Sequence, residues 1–360
     1  MKKILTIFGT RPEIIKLSPV IPLIDKYFKQ ILVHTGQHYS YNMDKLFFEE
    51  IKLRDPDFNL SVGSGSHGYQ TGTIMMKIEP IIEREHPDLL LVQGDTNSTL
   101  AGALIAAKSG IPLAHIESGY RSGDISQPEE INRIIADRLA HFAFAGNDDC
   151  EKNLIREGIP KNRIYNVGNT AIEALRRNEK FASKDILEKM GVSNSKYVLV
   201  TFHRAGNTDN EANLVNICRA LNSIAEKITI IFPIHPRTKK ALKTKDVHLD
   251  EKIKIVEPLG YLEFITLMKC ARFIMTDSGG IQEEAVELNI PCLILRNETE
   301  ATDLVKAGKN VLATTETINI VSRAERLIKD DSEVERIKKI KMDAKKGVSE
   351  RIVRILHEKM

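Results

Sequence analysis

The sequence carries almost no excess charge of either sign: 52 Lys and Arg stand against 49 Asp and Glu, a formal net charge of +3. That is too little basicity for a nucleic-acid binder. Long apolar runs are missing too, and none approaches the roughly 18 residues that a membrane span needs. The opening MKKILTIF has too short an apolar stretch before Gly9 for a secretory leader, whose core runs about 7–15 residues. It reads instead as a first strand. Cysteine is scarce, with Cys150, Cys218, Cys270 and Cys292 scattered and no CxxC pair among them. Neither a zinc site nor a disulfide framework is signalled, and buried free thiols in a reducing cytoplasm are expected. Low-complexity blocks and short repeats are also absent. What remains is an ordinary globular balance of 42% apolar and 28% charged residues, which excludes a disordered or fibrous chain. A length of 360 residues, at about 100–200 per domain, predicts two domains.

Short β-rich runs alternate with helical patterns from end to end. Strands are predicted at Lys3–Phe8, Ile31–Thr35, Leu89–Gln93, Pro112–Ile116 and Phe142–Ala145. A second series covers Tyr197–Thr201, Thr229–Pro233, Lys254–Val256, Phe273–Thr276, Cys292–Leu295 and Val311–Ala313. Several are continuous apolar runs, as expected of parallel strands covered on both faces. Helical stretches such as Ala101–Lys108, Asn213–Lys227 and Gln282–Glu287 lie between them. The alternation predicts an α/β fold of two doubly wound sheets. A charged stretch within Gly168–Lys196 is the natural boundary, and the apolar face of Ser349–His357 could pack on either half.

In open parallel sheets, ligands bind beyond the carboxyl ends of strands, so the polar residues there matter most. After the first strand comes Gly9-Thr10-Arg11-Pro12-Glu13, where Pro12 suits a first helical turn and Arg11 lies beside a helix N-terminus. Later strand ends bring Asp95, then His115 and Glu117 on one face by strand alternation, and the segment from Pro128 brings Glu129 and Glu130. Asp95 alone could be a helix cap, and Glu129 with Arg133 has the spacing of a surface i,i+4 pair. Acidic clusters at neighbouring strand ends are, however, what general acid–base chemistry needs. The second half offers His203-Arg204 and His235-Pro236-Arg237 after strands, and then Thr276-Asp277-Ser278-Gly279-Gly280 running into a helix with Glu283. Two glycines and a helix N-terminus make a seat for a diphosphate. A GxGxxG string at Gly63–Gly68 lacks the acidic residue at the next strand end that a dinucleotide site requires, and reads as a flexible loop.

Taken together, GTRPEIIK (Gly9–Lys16), QGDTNSTLAGALIA (Gln93–Ala106), HIESGYRSGD (His115–Asp124), PEEINR (Pro128–Arg133), VGNT (Val167–Thr170) and DSGGIQEEA (Asp277–Ala285) occur in order. This pattern resembles the non-hydrolysing UDP-N-acetylglucosamine 2-epimerases, over essentially the whole chain. The resemblance implies two Rossmann-like domains facing a central cleft (a GT-B-like fold). They would comprise residues 1–170 with 349–360, carrying the catalytic carboxylates, and 171–348, binding UDP. It implies interconversion of UDP-N-acetylglucosamine and UDP-N-acetylmannosamine by elimination of UDP to a 2-acetamidoglucal and re-addition, in the supply of cell-surface polysaccharide. It also implies a homodimer, with no metal and no cofactor. Carried over by motif, Asp95, Glu117, Glu129 and His203 are the expected catalytic residues. Arg11, Lys16, His203, Ser278, Gly279, Gly280 and Glu283 are the expected substrate contacts. Gln37, Gln70 and His235 are carried over as candidate contacts of an activator site.

The chain departs from the family's pattern at His203-Arg204-Ala205-Gly206-Asn207, with Gly where Glu is usual, and at Thr299-Glu300-Ala301-Thr302-Asp303, which lacks the usual Arg-Pro. These departures motivate a non-catalytic sugar-nucleotide-binding regulator as one alternative, against which stand the intact Asp95, Glu117 and Glu129. A related UDP-diacetamido sugar acid epimerase is a second, although its opening motif tends to GARPQ rather than GTRPE. A hydrolysing epimerase and a retaining glycosyltransferase on the same fold complete the set.

Overall fold

A computed structural model of the chain describes residues 1–37, 47–194, 196–299, 302–340 and 345–360. It divides into two compact units, Met1–Arg177 with Ala344–Met360, and Asn178–Asp343. These limits differ from the boundaries read at 170/171 and 348/349. The helix Thr170–Asn178 belongs with the first unit because Glu173 accepts from the backbone N–H groups of Val348 and Ser349, and from the Ser349 hydroxyl.

The first unit is a seven-stranded sheet built of β1 (Lys3–Phe8), β2 (Lys29–His34), β3 (Phe58–Asn59), β4 (Leu89–Gln93), β5 (Leu113–Ser118), β6 (Phe142–Ala145) and β7 (Ile164–Asn166). All its strand pairs are parallel, in the order β3-β2-β1-β4-β5-β6-β7. Burial of both faces explains why β1 and β4 are apolar nearly throughout, with Thr6 the polar break inside β1. Leu5, Ile7, Leu90 and Val92 face one helical layer, while Ile4, Phe8, Leu89 and Leu91 on the other face are equally buried. In that first layer the helix His67–Glu85 packs on Asn97–Lys108, which packs on Pro128–Leu139. The C-terminal helix Val348–Lys359 packs on the helix Ile21–Tyr27, burying Ile352, Val353 and Leu356 and setting the His357 ring edge-on to Tyr27 and Phe28.

The second unit repeats the plan with β8 (Tyr197–Thr201), β9 (Thr229–Pro233), β10 (Ile253–Val256), β11 (Phe273–Thr276), β12 (Cys292–Ile294) and β13 (Asn310–Leu312), ordered β10-β9-β8-β11-β12-β13. Again every pair is parallel. In both units the chain first winds outward from the central strand and then returns to its other side, the doubly wound order. Each sheet therefore has one topological switch point, between β1 and β4 and between β8 and β11. Loops diverge there and leave a crevice at the strands' carboxyl ends. No helix of the described residues is long and apolar enough to cross a membrane.

Candidate active site

In the first unit, the switch point is flanked by Gly9–Glu13 after β1 and Gln93–Asn97 after β4. Glu13 ties the two loops together. Its Oε2 accepts from the Gly9 and Thr10 amides (2.9 and 2.8 Å) and the Thr10 hydroxyl (2.9 Å), and its Oε1 accepts from the Thr96 hydroxyl (2.9 Å). Burial pushes this carboxyl up to about 7, against hydrogen bonds that pull it down. Arg11 opens the short helix Arg11–Leu17 with its guanidinium over the Phe47 ring, 5.6 Å from the centroid.

Asp95 is not the cap of the following helix. Thr96 holds that place, its hydroxyl accepting from the Thr99 amide. Asp95 Oδ2 instead accepts from Arg133 Nε and Nη2 at 2.9 and 2.5 Å. Arg133 also donates to buried Glu130 (2.9 Å), so the i,i+4 pair with Glu129 read from the spacing does not form. Glu130 is pulled two ways: burial raises its pKa, while the Ser122 and Gly123 amides and Arg133 lower it and prevail. Exposed Glu129 is left to line a cavity of about 280 Å³ together with Asp95, Asn97, Asn132, Gln37 and Gln70. Gln37 and Gln70 spend their polar atoms internally. Gln37 Oε1 accepts from Ser98, and Gln70 Nε2 donates to the Gln37 and Gly63 carbonyls. The GxGxxG segment is only partly a loop, because Ser66 caps the helix His67–Glu85, whose first turn takes in His67 and Gly68.

Glu117 breaks the strand alternation that would set it beside His115. The pairing of β5 with β6 shifts between Ile116 and Ser118, and Glu117 adopts φ +69°, a left-handed conformation uncommon outside glycine. Its Oε2 accepts from Lys16 Nζ at 2.7 Å and Gln93 Nε2 at 2.5 Å. Strain of this kind persists only when the surroundings over-determine it, and it gathers at functional sites. The structure thus brings Asp95 and Glu129 to one cavity. It sets Glu117 against Gln93 and Lys16, with Gly94 between Gln93 and Asp95.

In the second unit, buried Asp277 at the end of β11 organises the other switch point. Its carboxylate accepts from the His203 amide (3.1 Å), the Arg204 amide (2.9 Å) and Asn207 Nδ2 (3.0 Å). Asn207 also donates to the Leu295 carbonyl at 2.9 Å, so the HRAGN segment keeps this anchor without the Glu. The partly exposed His203 ring stacks on His235 with centroids 4.9 Å apart. His235 Nδ1 accepts from the Arg237 amide, and its pKa is lowered by burial and by neighbouring His203 and Arg237. Ser278 caps the helix Gly279–Glu287 in an extended conformation, and Glu283 lies half-buried one turn on. A Cβ at Gly280 would meet nothing within 4 Å, and one at Gly279 only Arg204 Nη2 at 3.8 Å. Packing in this unit does not require glycine at either position. Residues 38–46 of the Gly36–Phe48 loop, and Glu300 and Ala301 of the TEATD segment, lie outside the described residues.

Sequence reading alone missed Glu13, Gln93, Arg133 and Asp277. Asp277 has a local signal in its place in the DSGG segment, and Glu13 in the Thr10–Glu13 capping box. Among the described residues no group of three or more His, Cys, Asp or Glu side chains is placed to hold a metal ion.

Comparison with known proteins identifies the family. The family described as UDP-N-acetylglucosamine 2-epimerase matches residues 24–357. A UDP-N-acetylglucosamine 2-epimerase of Methanococcus maripaludis is 49% identical over 346 residues, covering 92% of this chain and 93% of that protein. A UDP-2,3-diacetamido-2,3-dideoxy-D-glucuronate 2-epimerase of Pseudomonas aeruginosa is 40% identical over 316 residues, or 86% of this chain and 88% of that protein. The crystal structure of the Methanocaldococcus jannaschii UDP-GlcNAc 2-epimerase in complex with UDP-GlcNAc and UDP superposes with a TM-score of 0.86. It shares 44% identity and covers 99% of this chain and 100% of that one. By the extent of these matches, the chain belongs to the UDP-N-acetylglucosamine 2-epimerase family.

Proposed function

We propose that this chain interconverts UDP-N-acetylglucosamine and UDP-N-acetylmannosamine by elimination and re-addition of UDP. The observation that carries the reading is the placing of three carboxylates at one switch point, Asp95 and Glu129 on a cavity and Glu117 held against Lys16 and Gln93. The chemistry explains the need. The C2 hydrogen is not beside a carbonyl, so a carboxylate cannot remove it from the ground state. As the C1–O bond breaks, its electron pair leaves with UDP and C1 becomes electron-poor, which acidifies C2–H. A carboxylate takes that proton, and the C–H pair becomes the C1=C2 bond of the 2-acetamidoglucal. Return of a proton to the opposite face of C2 and of the UDP oxygen to C1 completes epimerisation with no net redox change. The protein must steady the leaving diphosphate and present acid–base groups to both faces.

We assign Asp95, Glu117 and Glu129 to proton transfer, and keep His203 as a further catalytic residue. Lys16 and Arg133 fix the orientation of Glu117 and Asp95. The Ser278–Gly280 turn and its helix N-terminus would hold the diphosphate, with Glu283 toward the ribose and Arg11 as a further cationic contact. Gln37, Gln70 and His235 stay as the proposed activator contacts, Gln37 and Gln70 through the wall they build rather than through free amides. A homodimer is supported by apolar side chains on the outward helices of the first unit: Tyr69, Met76, Ile131 and Ile134 are 57%, 66%, 41% and 39% exposed. Four buried free cysteines fit a reducing cytoplasm.

Proton NMR in deuterated water tests the reading. UDP-N-acetylglucosamine should give UDP-N-acetylmannosamine, with deuterium entering C2 of both. Turnover of only a UDP-diacetamido uronic acid, release of free N-acetylmannosamine, or an unchanged spectrum would each overturn it.

A further inference from the structure

His115, on β5, is fully buried, and both of its ring nitrogens are engaged. Nδ1 lies 2.7 Å from Asp137 Oδ1, and Nε2 lies 2.8 Å from the Gly94 carbonyl oxygen. A carboxylate and a carbonyl only accept, whereas a neutral imidazole has a single N–H to give. The two contacts are satisfied together only by the imidazolium. Asp137, equally buried on the helix Pro128–Leu139, spends its other oxygen on the Gly119 amide (3.0 Å) and on an ion pair with Arg121 Nη2 (2.8 Å). Arg121 is paired in turn with Glu157. Besides Asp137, the charged group that acts on His115 is Glu117, two residues along its own strand, which also favours the protonated ring.

We propose that the His115–Asp137 pair is the positioning device of the reaction, holding the turns that carry Asp95 and Glu117 in fixed relation to each other. The bonds that the pair does not use internally run to these turns. His115 holds the Gly94 carbonyl, next to Asp95, and Asp137 holds the Gly119 amide, two residues past Glu117. The Glu117 turn needs such a hold, because φ is +69° at Glu117, a strained value outside glycine, whereas Gly94 (+74°) and Gly119 (+87°) take theirs freely. At Gly119 a Cβ would come 2.4 Å from the Cys150 carbonyl oxygen, so this turn is pressed against the helix Asp148–Arg156 as well. A buried ion pair is a weak source of stability compared with apolar packing. Its use here is geometric, since a shift of about 1 Å in a proton-transfer group can cost roughly 10²-fold in rate. Burial lowers the pKa of His115, and the Asp137 contacts with those of Gly94 and Glu117 raise it and prevail.

The role rests on the epimerase reading, and the test separates the two. Nitrogen-resolved NMR of the histidine rings, with the signal assigned by its loss in His115→Gln, should show both His115 nitrogens protonated at neutral pH. A single protonated nitrogen at neutral pH would refute the imidazolium. In Asp137→Asn, kcat should fall roughly 10²-fold with KM nearly unchanged, and the alkaline limb of kcat should move to lower pH, because the Asp137 charge that does most to raise the His115 pKa is lost while burial remains. If Asp137→Asn does not fold, His115→Gln keeps one donor for Gly94 but no titrating proton, and should lose both turnover and that alkaline limb. A folded variant with wild-type kcat and pH profile would reduce the pair to a purely structural one. Epimerisation by the wild type alongside that result removes only the positioning role, whereas a wild type that leaves UDP-N-acetylglucosamine unchanged removes the reading beneath it.

Discussion

Glu13 is a buried carboxyl that receives five hydrogen bonds and yet has its pKa raised to about 7, because desolvation outweighs them. Its folded pKa of about 7 stands above the unfolded value of 4.5. The linkage therefore runs opposite to that of a salt-bridged acid: its contribution is complete below 4.5 and is lost as pH rises to about 7. Glu13→Gln lacks this proton. Chemical denaturation at pH 5 and pH 7.5 should show the variant gaining stability relative to the wild type at the higher pH, and a constant difference would mean that Glu13 ionises normally. The carboxylates assigned to proton transfer differ in kind. Asp95→Asn, Glu117→Gln and Glu129→Gln should each lower turnover roughly 10²–10⁴-fold. Near-normal steady-state turnover in any one of them removes it from the mechanism. Glu117→Gln carries a second expectation. Lys16 and Gln93 donate to one oxygen, and the amide oxygen that takes its place carries no charge, so the ion pair with Lys16 goes and with it part of the hold on the strained backbone.

At the scale of elements, the DSGG turn gives the cleanest substitution. Gly279 has room for a side chain in the protein itself, where a Cβ would approach only Arg204 Nη2 at 3.8 Å. Gly279→Val should leave the thermal midpoint near wild type while weakening UDP binding, since the side chain would occupy the space where a diphosphate approaches the helix N-terminus. Unchanged UDP affinity by calorimetry would put the diphosphate elsewhere. The glycines of this turn, like the strands that precede them, are legible in the sequence because their signals are local. β8 and β11 are continuous apolar runs bounded by polar turn residues. β3 and β7 lack that signal: they have two and three residues, sit at the edges of their sheet and are only half-buried. The site divides in the same way. Residue types at strand ends mark Asp95, Glu117 and His203, but their partners come from distant segments. Arg133 has a carboxylate at i−4 and chooses Asp95, 38 residues away, and His115 finds Asp137 22 residues on. The bulge at Glu117 has no sequence signature either, because nothing in His-Ile-Glu-Ser requires φ above zero there.

At the scale of the whole molecule, the helix Pro128–Leu139 connects the site to the surface. Glu129 reaches the cavity and Arg133 reaches Asp95. Ile131, two residues from each, projects from the far side at about 100° per residue and is 41% exposed. Single exposed isoleucines are ordinary on protein surfaces. Here Ile131 and Ile134 share a helical layer with Tyr69 and Met76, exposed on the helix His67–Glu85, and the helix between them presents half-buried Leu100 and Leu104. A second copy of the chain is the occupant we propose for this layer, and its effect would reach further than mass, because covering Ile131 and Ile134 braces the helix that carries Glu129 and Arg133. Light scattering should give the wild type about twice the 40.5 kDa chain mass. Ile131→Asp with Ile134→Asp should shift it to the single-chain mass and lower turnover, with UDP affinity retained because the Ser278–Gly280 turn belongs to the other unit. A wild type already at 40.5 kDa would remove the dimer. A monomeric double variant with full turnover would show that the dimer forms but does not brace the catalytic helix.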